Sequence, residues 1–283
     1  MTKAQPAKPL LNRLLAALPA DVYQRLLTDL EFVFLPLGEA IYGPGQALKH
    51  IYFPTTAIIS LLYTAEDGTS AEIGIVGNDG VLGTALFMGG DSVPNRAVVQ
   101  SAGGAFRMKA DALQSEFQKA GPFQHLLLRY TQSLIAQISQ TAVCNRLHSV
   151  EHQLCRWLLL SHDRLPTNEL IMTQNLIADM LGVRREAVSH QASRLQDAGL
   201  IDYHRGRITI LDRAGLEARV CECYGVVTRE TERLMASSLR ETLFHKNGNV
   251  PGLFINWGIL LYRFAEPFCG DGEVFDSLFQ FLV

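Results

Sequence analysis

The chain has no run of apolar residues long enough to span a bilayer. Its longest stretches, including residues 252–264, fall short of the roughly 20 residues that a crossing requires. It also lacks the uncharged core of a signal peptide, because the apolar start of the chain is short and is interrupted by Arg13. These two absences predict a soluble, cytoplasmic protein with no membrane partner. Cysteines are few: Cys144, Cys155, Cys221, Cys223 and Cys269 form an odd set without a CxxC pair. That pattern argues against a disulfide framework and against a zinc site, so reduced thiols, no metal and no cofactor are expected. An excess of positive charge is missing too, since 25 Lys and Arg face 28 Asp and Glu for a net charge of −3. A domain that binds nucleic acid is more often basic throughout, so any such contact here has to come from a local patch.

What is present is enough apolar material for two ordinary domains: 283 residues, 48% of them hydrophobic. Between residues 12 and 30, Leu14, Leu15, Leu18, Val22, Leu26, Leu27 and Leu30 fit a helical stripe broken at Pro19, which predicts short lid helices. Residues 32–108 are different in texture, with short runs rich in Val, Ile, Tyr and Phe punctuated by glycine-rich turns. Many short strands with frequent turns predict a β sandwich or barrel. From Pro122 the spacing changes again, and Phe123, Leu127, Tyr130, Leu134, Ile138 and Thr141 recur every three or four residues. They predict one long amphipathic helix. Its regular seam suits a partner helix, because a helix of this length would outrun the face of its own barrel. Ser149 is placed to cap the next helix, in which Val150, Leu154, Trp157, Leu158 and Leu159 supply the buried side. His152 and Cys155 on that helix read as packing residues.

The most informative segment is 171–195. Thr173 is a good N-cap, and Leu176, Ile177 and Met180 are expected to face inward, with small Ala178 where two helices approach. Gly182 permits a tight turn and Val183 plugs the core beneath it. Val188, Ala192 and Leu195 then repeat on the buried side of a second helix, which leaves Arg185, Glu186, Ser189, His190 and Ser193 facing outward near its start. This is the layout of a helix-turn-helix, whose second helix reads base edges in the major groove. Arg185 can donate two hydrogen bonds to guanine, and Glu186 can accept one from cytosine. After it, two β-prone runs surround Arg205-Gly206-Arg207 and predict a hairpin wing. Thr173, Gln174, Arg184, Arg194, Arg205 and Arg207 are the expected phosphate contacts, and the arginines form the local basic patch that the net charge hides.

With these stretches in place, residues 25–215 resemble the Crp/Fnr superfamily of transcription regulators. The resemblance is carried by Leu37-Gly38-Glu39-Ala40-Ile41-Tyr42, by Ile51-Tyr52-Phe53-Pro54, by Gly80-Val81-Leu82-Gly83, and most specifically by 173–195 with its wing. It implies an α+β chain with a double-stranded β-helix (jelly-roll) sensor over 1–121, a dimerisation helix over 122–148 and a winged helix-turn-helix over 149–215. The remainder, 216–283, is a C-terminal helix and an apolar tail. The implied partners are a second copy of the chain, double-stranded DNA with a near-palindromic operator, RNA polymerase and an unidentified small-molecule effector. Arg185, Glu186 and His190, with Ser189 beside them, match the family's base-reading positions. Members that bind cyclic nucleotides carry a glutamate that holds the ribose hydroxyl, where this chain has Val81, and a hydroxyl residue beside the phosphate-binding arginine, where Asn95-Arg96-Ala97 keeps only the arginine. Loss of a charge-assisted contact costs on the order of 1.5–3 kcal/mol, so the pocket of Gly80, Val81, Leu82, Gly83, Asn95, Arg96 and Ala97 is expected to be degenerate and not to bind cyclic AMP tightly.

Two readings of another kind compete. A cupin-like enzyme would need several histidines converging in the barrel, and the barrel region offers only His50. A roll that has lost sensing altogether would leave a ligand-free DNA-binding or interaction protein. Beyond Asp212 a helix is expected over 214–243, packed through Leu216, Val220, Tyr224, Val227, Thr231 and Leu234. The apolar segments 253–264 and 275–283 call for burial or a partner.

Overall fold

The computed structural model describes residues 8–246. The apolar tail segments 253–264 and 275–283 lie outside the described residues. Two short helices, α1 (Arg13–Ala16) and α2 (Ala20–Leu26), precede seven strands: β1 (Glu31–Leu35), β2 (Ala40–Tyr42), β3 (His50–Pro54), β4 (Ile58–Thr64), β5 (Ser70–Val76), β6 (Arg96–Ser101) and β7 (Gly103–Lys109). The strands form two antiparallel sheets, in the orders β1-β7-β3 and β2-β6-β4-β5. Alternation places Ile51 and Phe53 of β3 opposite Ala97 and Val99 of β6, all buried between the layers. Leu14, Leu15, Val22 and Leu26 of α1 and α2 join the same core, as the lid reading expected. Asn12 locks that lid: its side-chain oxygen caps α1, and its amide donates to the carbonyls of Pro54 (2.8 Å) and Gly80 (2.9 Å).

The roll continues through α3 (Ala110–Phe117) into the long helix α4 (Pro122–Leu147). Here the expected seam is overturned. Phe123, Leu127, Tyr130 and Leu134 are buried in the roll's own core, with Ile138 packed against it, so that stripe is not free for a partner. A second stripe, offset around the helix, holds the exposed apolar side chains Leu128, Ile135, Val143 and Leu147. The sequence pattern pointed to the wrong face because α4 is apolar on both, and the stripe carrying Phe123 and Tyr130 is the one the roll buries.

The C-terminal part opens with α5 (Val150–His162), capped by Ser149, whose hydroxyl accepts from the His152 amide. It continues through β8 (Glu169–Ile171), α6 (Gln174–Leu181), α7 (Arg185–Asp197), β9 (Ile201–His204) and β10 (Arg207–Ile210). The three strands make a small antiparallel sheet in the order β8-β10-β9, of which β8 had no counterpart in the sequence reading. The single helix expected over 214–243 is two, α8 (Arg213–Arg219) and α9 (Glu222–Lys246), separated where Val220 turns to extended backbone. Leu216, Val227 and Leu234 are buried as expected. Helix α9 runs antiparallel to α4, with Ser133 bonded to Thr231 (2.8 Å) and Gln140 to Cys223 (3.1 Å).

Helix α5 also packs directly on the roll. Arg164 pairs with Asp79 at 2.7 Å in a largely buried contact. The Ser60 hydroxyl bridges Glu72 and Gln100, and the Gln100 amide donates to Ser161 at 2.9 Å. Ile58, Ile75, Leu160 and Val227 fill the space beside this polar network.

Candidate nucleic-acid interface

Each helix of the pair is defined by short-range chemistry. Thr173 caps α6 by accepting from the Leu176 amide at 3.3 Å. Gly182 ends it in the left-handed region, φ +65°, where an L side chain would be strained. Ile177, Ala178, Met180 and Leu181 are buried, but Leu176 is not; it is 38% exposed, and Leu181 takes the inward place assigned to it. On α7, Val188, Ala192 and Leu195 are buried against Leu154, Leu158 and Ile201. This burial sets the helix rotation, so Arg185, Glu186, His190 and Ser193 are exposed on the opposite side.

Ser189 stands apart from that group. It is half-buried, and its hydroxyl donates to the Gln174 side-chain oxygen, tying the starts of the two helices together. Arg184 occupies the N-cap position of α7 without a side-chain cap, and its carbonyl accepts from the Ala187 amide at 3.0 Å. The wing turns through Arg205 (φ +48°) and Gly206 (φ +78°), the pair of positive angles of a two-residue hairpin turn. That turn carries Arg205 back toward α6 and α7. Thr173, Gln174, Asn175, Arg185, Tyr203, Arg205 and Gly206 consequently line one open depression.

The expected phosphate contacts fall into two groups. Thr173, Gln174 and Arg205 lie in the depression, and Arg184 is exposed at the turn. Among the described residues, Arg184, Arg185 and Arg205 have no carboxylate partner. Arg194 and Arg207 do: Arg194 pairs with Glu151 at 3.2 Å on α5, and Arg207 with Glu169 at 2.7 Å across the sheet. Tyr203 and Asn175 were missed by the sequence reading. Tyr203 donates from its hydroxyl to the Met172 carbonyl at 2.9 Å, and burial raises its phenol above the ordinary value. Its position, aromatic and in the strand just before an Arg-Gly turn, was the available signal.

Residues 152–219 match the Crp-like helix-turn-helix domain. The fold of the chain is that of the Crp/Fnr transcription regulators with their cyclic-nucleotide-binding-like roll. A solved Crp/Fnr-family transcriptional regulator from Eubacterium rectale is 17% identical, with 75% of this chain and 97% of that one aligned at a TM-score of 0.57. FixK2 from Bradyrhizobium japonicum is 18% identical over 68% of this chain and 98% of its own, TM-score 0.55. The CRP-family regulator TTHB099 from Thermus thermophilus is 19% identical over 66% and 95%, TM-score 0.55. No curated protein matches the chain.

In the roll, the Gly80-Val81-Leu82-Gly83 segment is part of the core. Val81 and Leu82 are buried, and Leu82 exchanges backbone hydrogen bonds with Tyr52 at 2.9 and 2.8 Å. Asn95 and Ala97 are buried; Arg96 is half-buried, and one of its terminal nitrogens donates to Ser70 at 3.2 Å. No helix among the described residues is long and apolar enough to cross a membrane.

Proposed function

We propose that the chain is a cytoplasmic, dimeric, sequence-specific DNA-binding regulator in which α7 enters the major groove. The observation that carries this reading is the open depression shared by Thr173, Gln174, Arg185 and Arg205, because it joins the first turns of both helices to the wing tip. Arg185, Glu186 and His190 present donors and acceptors to base edges, and Ser189 holds α7 to Gln174 instead of reaching a base. Thr173, Gln174, Arg184 and Arg205, with the uncapped first turn of α7, take the phosphates. Arg194 and Arg207 reach a phosphate only by exchanging Glu151 and Glu169 for it.

The exposed α4 stripe of Leu128, Ile135, Val143 and Leu147 supports a dimer in which two α4 helices meet. Two recognition helices then address half-sites about one helical turn apart. The roll is not suited to hold a cyclic nucleotide tightly, since Val81 is a buried core residue whose side chain has no polar atom to offer a ribose.

Selection of bound duplexes from a random pool tests the reading. The expected result is a near-palindromic site, with Arg185→Ala losing about 1–3 kcal/mol of affinity and relaxing preference at one position per half-site. Equal retention of all sequences by the full-length protein refutes sequence-specific binding.

A further inference from the structure

Four side chains that are scattered in sequence meet where α4 ends. Cys144 and His148 lie one helical turn apart at the C-terminus of α4, with His148 immediately before the Ser149 cap of α5. Cys221 and Cys223 flank Glu222 at the break between α8 and α9. Their ligand atoms all lie within 4.8 Å of one another. The sulfurs of Cys144 and Cys221 are 3.6 Å apart, and the Cys223 sulfur is 3.3 Å from His148 Nδ1.

We propose that Cys144, His148, Cys221 and Cys223 bind one zinc ion in a closed Cys3His site that fastens the DNA-binding segment to the end of α4. Tetrahedral zinc, with bonds of about 2.3 Å to sulfur and about 2.0–2.1 Å to nitrogen, holds its sulfurs roughly 3.8 Å apart and sulfur and nitrogen roughly 3.5 Å apart. The two close pairs already sit near those edges, and the wider ones, at most 4.8 Å apart, need to close by no more than about 1.3 Å. The donor set is soft, which favours zinc over calcium or magnesium. An iron–sulfur cluster needs its thiolates further apart, because its own iron and sulfide atoms lie between them. All four positions are filled by the protein and the three thiols are buried, which describes a structural site and leaves no open position for chemistry.

The surroundings fit a metal as well. His148 uses Nδ1 toward the cluster and turns Nε2 to the Glu222 carboxylate at 3.4 Å, the outer partner that orients a metal-bound imidazole. The Gln140 amide donates to the Cys223 sulfur at 3.1 Å. Three thiolates around one zinc ion leave a net negative charge, and the buried Arg156 guanidinium lies close enough to Cys144 to offset it. The sequence reading set zinc aside because CxxC is absent. The fold instead assembles a CxxxH pair on one helix and a CxC pair whose first cysteine is 77 residues from Cys144. The intervening chain contains α5 through α8, so the ion would close a loop around the whole winged domain and pin it beside His148.

Metal analysis of the full-length chain purified under reducing conditions and loaded with zinc alone is the test. One zinc per chain is expected. Cobalt substituted for zinc should give the intense thiolate charge-transfer and d–d bands of a tetrahedral sulfur-rich site. Cys223→Ser and His148→Ala should lose the bound ion, while a control with Cys155→Ser and Cys269→Ser should keep it. The proposal is overturned by a folded wild-type chain that takes up no zinc, by cobalt spectra without thiolate bands, or by loss of the ion in the control. A Cys144–Cys221 disulfide in reduced preparations also overturns it, since it consumes two of the four ligands. The wild-type cobalt spectrum decides the matter even where a variant fails to fold.

Discussion

Glu72 lies in the contact between the roll and α5, buried, with its carboxyl accepting from the Ser60 hydroxyl at 2.5 Å. Burial pushes its pKa from the ordinary 4.5 up to about 7, against the opposing pull of the Ser60 hydrogen bond and the charges of Arg156 and Arg164. A carboxyl raised in the folded state favours the protonated form there, while the unfolded chain releases the proton near 4.5. The stabilisation is therefore complete below 4.5, declines as pH rises toward 7 and is gone above it. At about 1.36 kcal/mol per unit, the loss over this window is on the order of 3 kcal/mol. Glu72→Gln keeps an acceptor for Ser60 and removes the titration. Denaturant unfolding of both proteins at about pH 5 and about pH 8 should show the wild type losing on the order of 3 kcal/mol more than the variant between the two conditions. Identical pH dependence in the two proteins refutes the assignment and with it the dominance of burial over the Ser60 hydrogen bond and the neighbouring arginines.

Further outcomes follow from single contacts. Arg164→Met leaves Asp79 buried without its cation at 2.7 Å; unfolding experiments should show a loss of about 3–5 kcal/mol, part of it recovered by adding Asp79→Asn. Arg205→Ala should weaken binding to every DNA sequence alike and lower the magnitude of the salt slope by about 1, read from titrations at several ionic strengths. Ile135→Asp puts a charge in the exposed apolar stripe of α4 and should shift the protein toward monomer in sedimentation, whereas a charge at half-exposed Ile138 also disturbs the roll.

The helix-turn-helix was legible because its determinants are local. Thr173 as a cap, Gly182 at a positive φ and the buried set Val188, Ala192 and Leu195 all lie within a few turns of one another, and each predicts its own environment through hydrogen-bond geometry or helical period. The wing was readable for the same reason, from Arg205-Gly206 between two β-prone runs. Even there, local pattern misplaced Leu176, which is exposed while Ile177 and Leu181 are buried, because helical period alone does not fix where the edge of the buried face falls.

What sequence alone determined was the β texture of the roll, the long helix α4, the helix-turn-helix with its wing hairpin, and the residues at the outward start of α7; the short strand β8 and the break between α8 and α9 it did not. Which face of α4 stays free, which arginines are already paired, and how α5 seats on the roll were decided by tertiary structure. An apolar stripe records that it will be buried but not by what, so Phe123 and Leu127 looked equally suited to a partner or to their own roll. A charge does not name its neighbour, and Glu151 and Glu169 meet Arg194 and Arg207 only once three strands and three helices are packed. The cysteines make the same point most sharply: Cys144 and Cys221 are remote along the chain, and their sulfurs come to 3.6 Å because α9 folds back along α4.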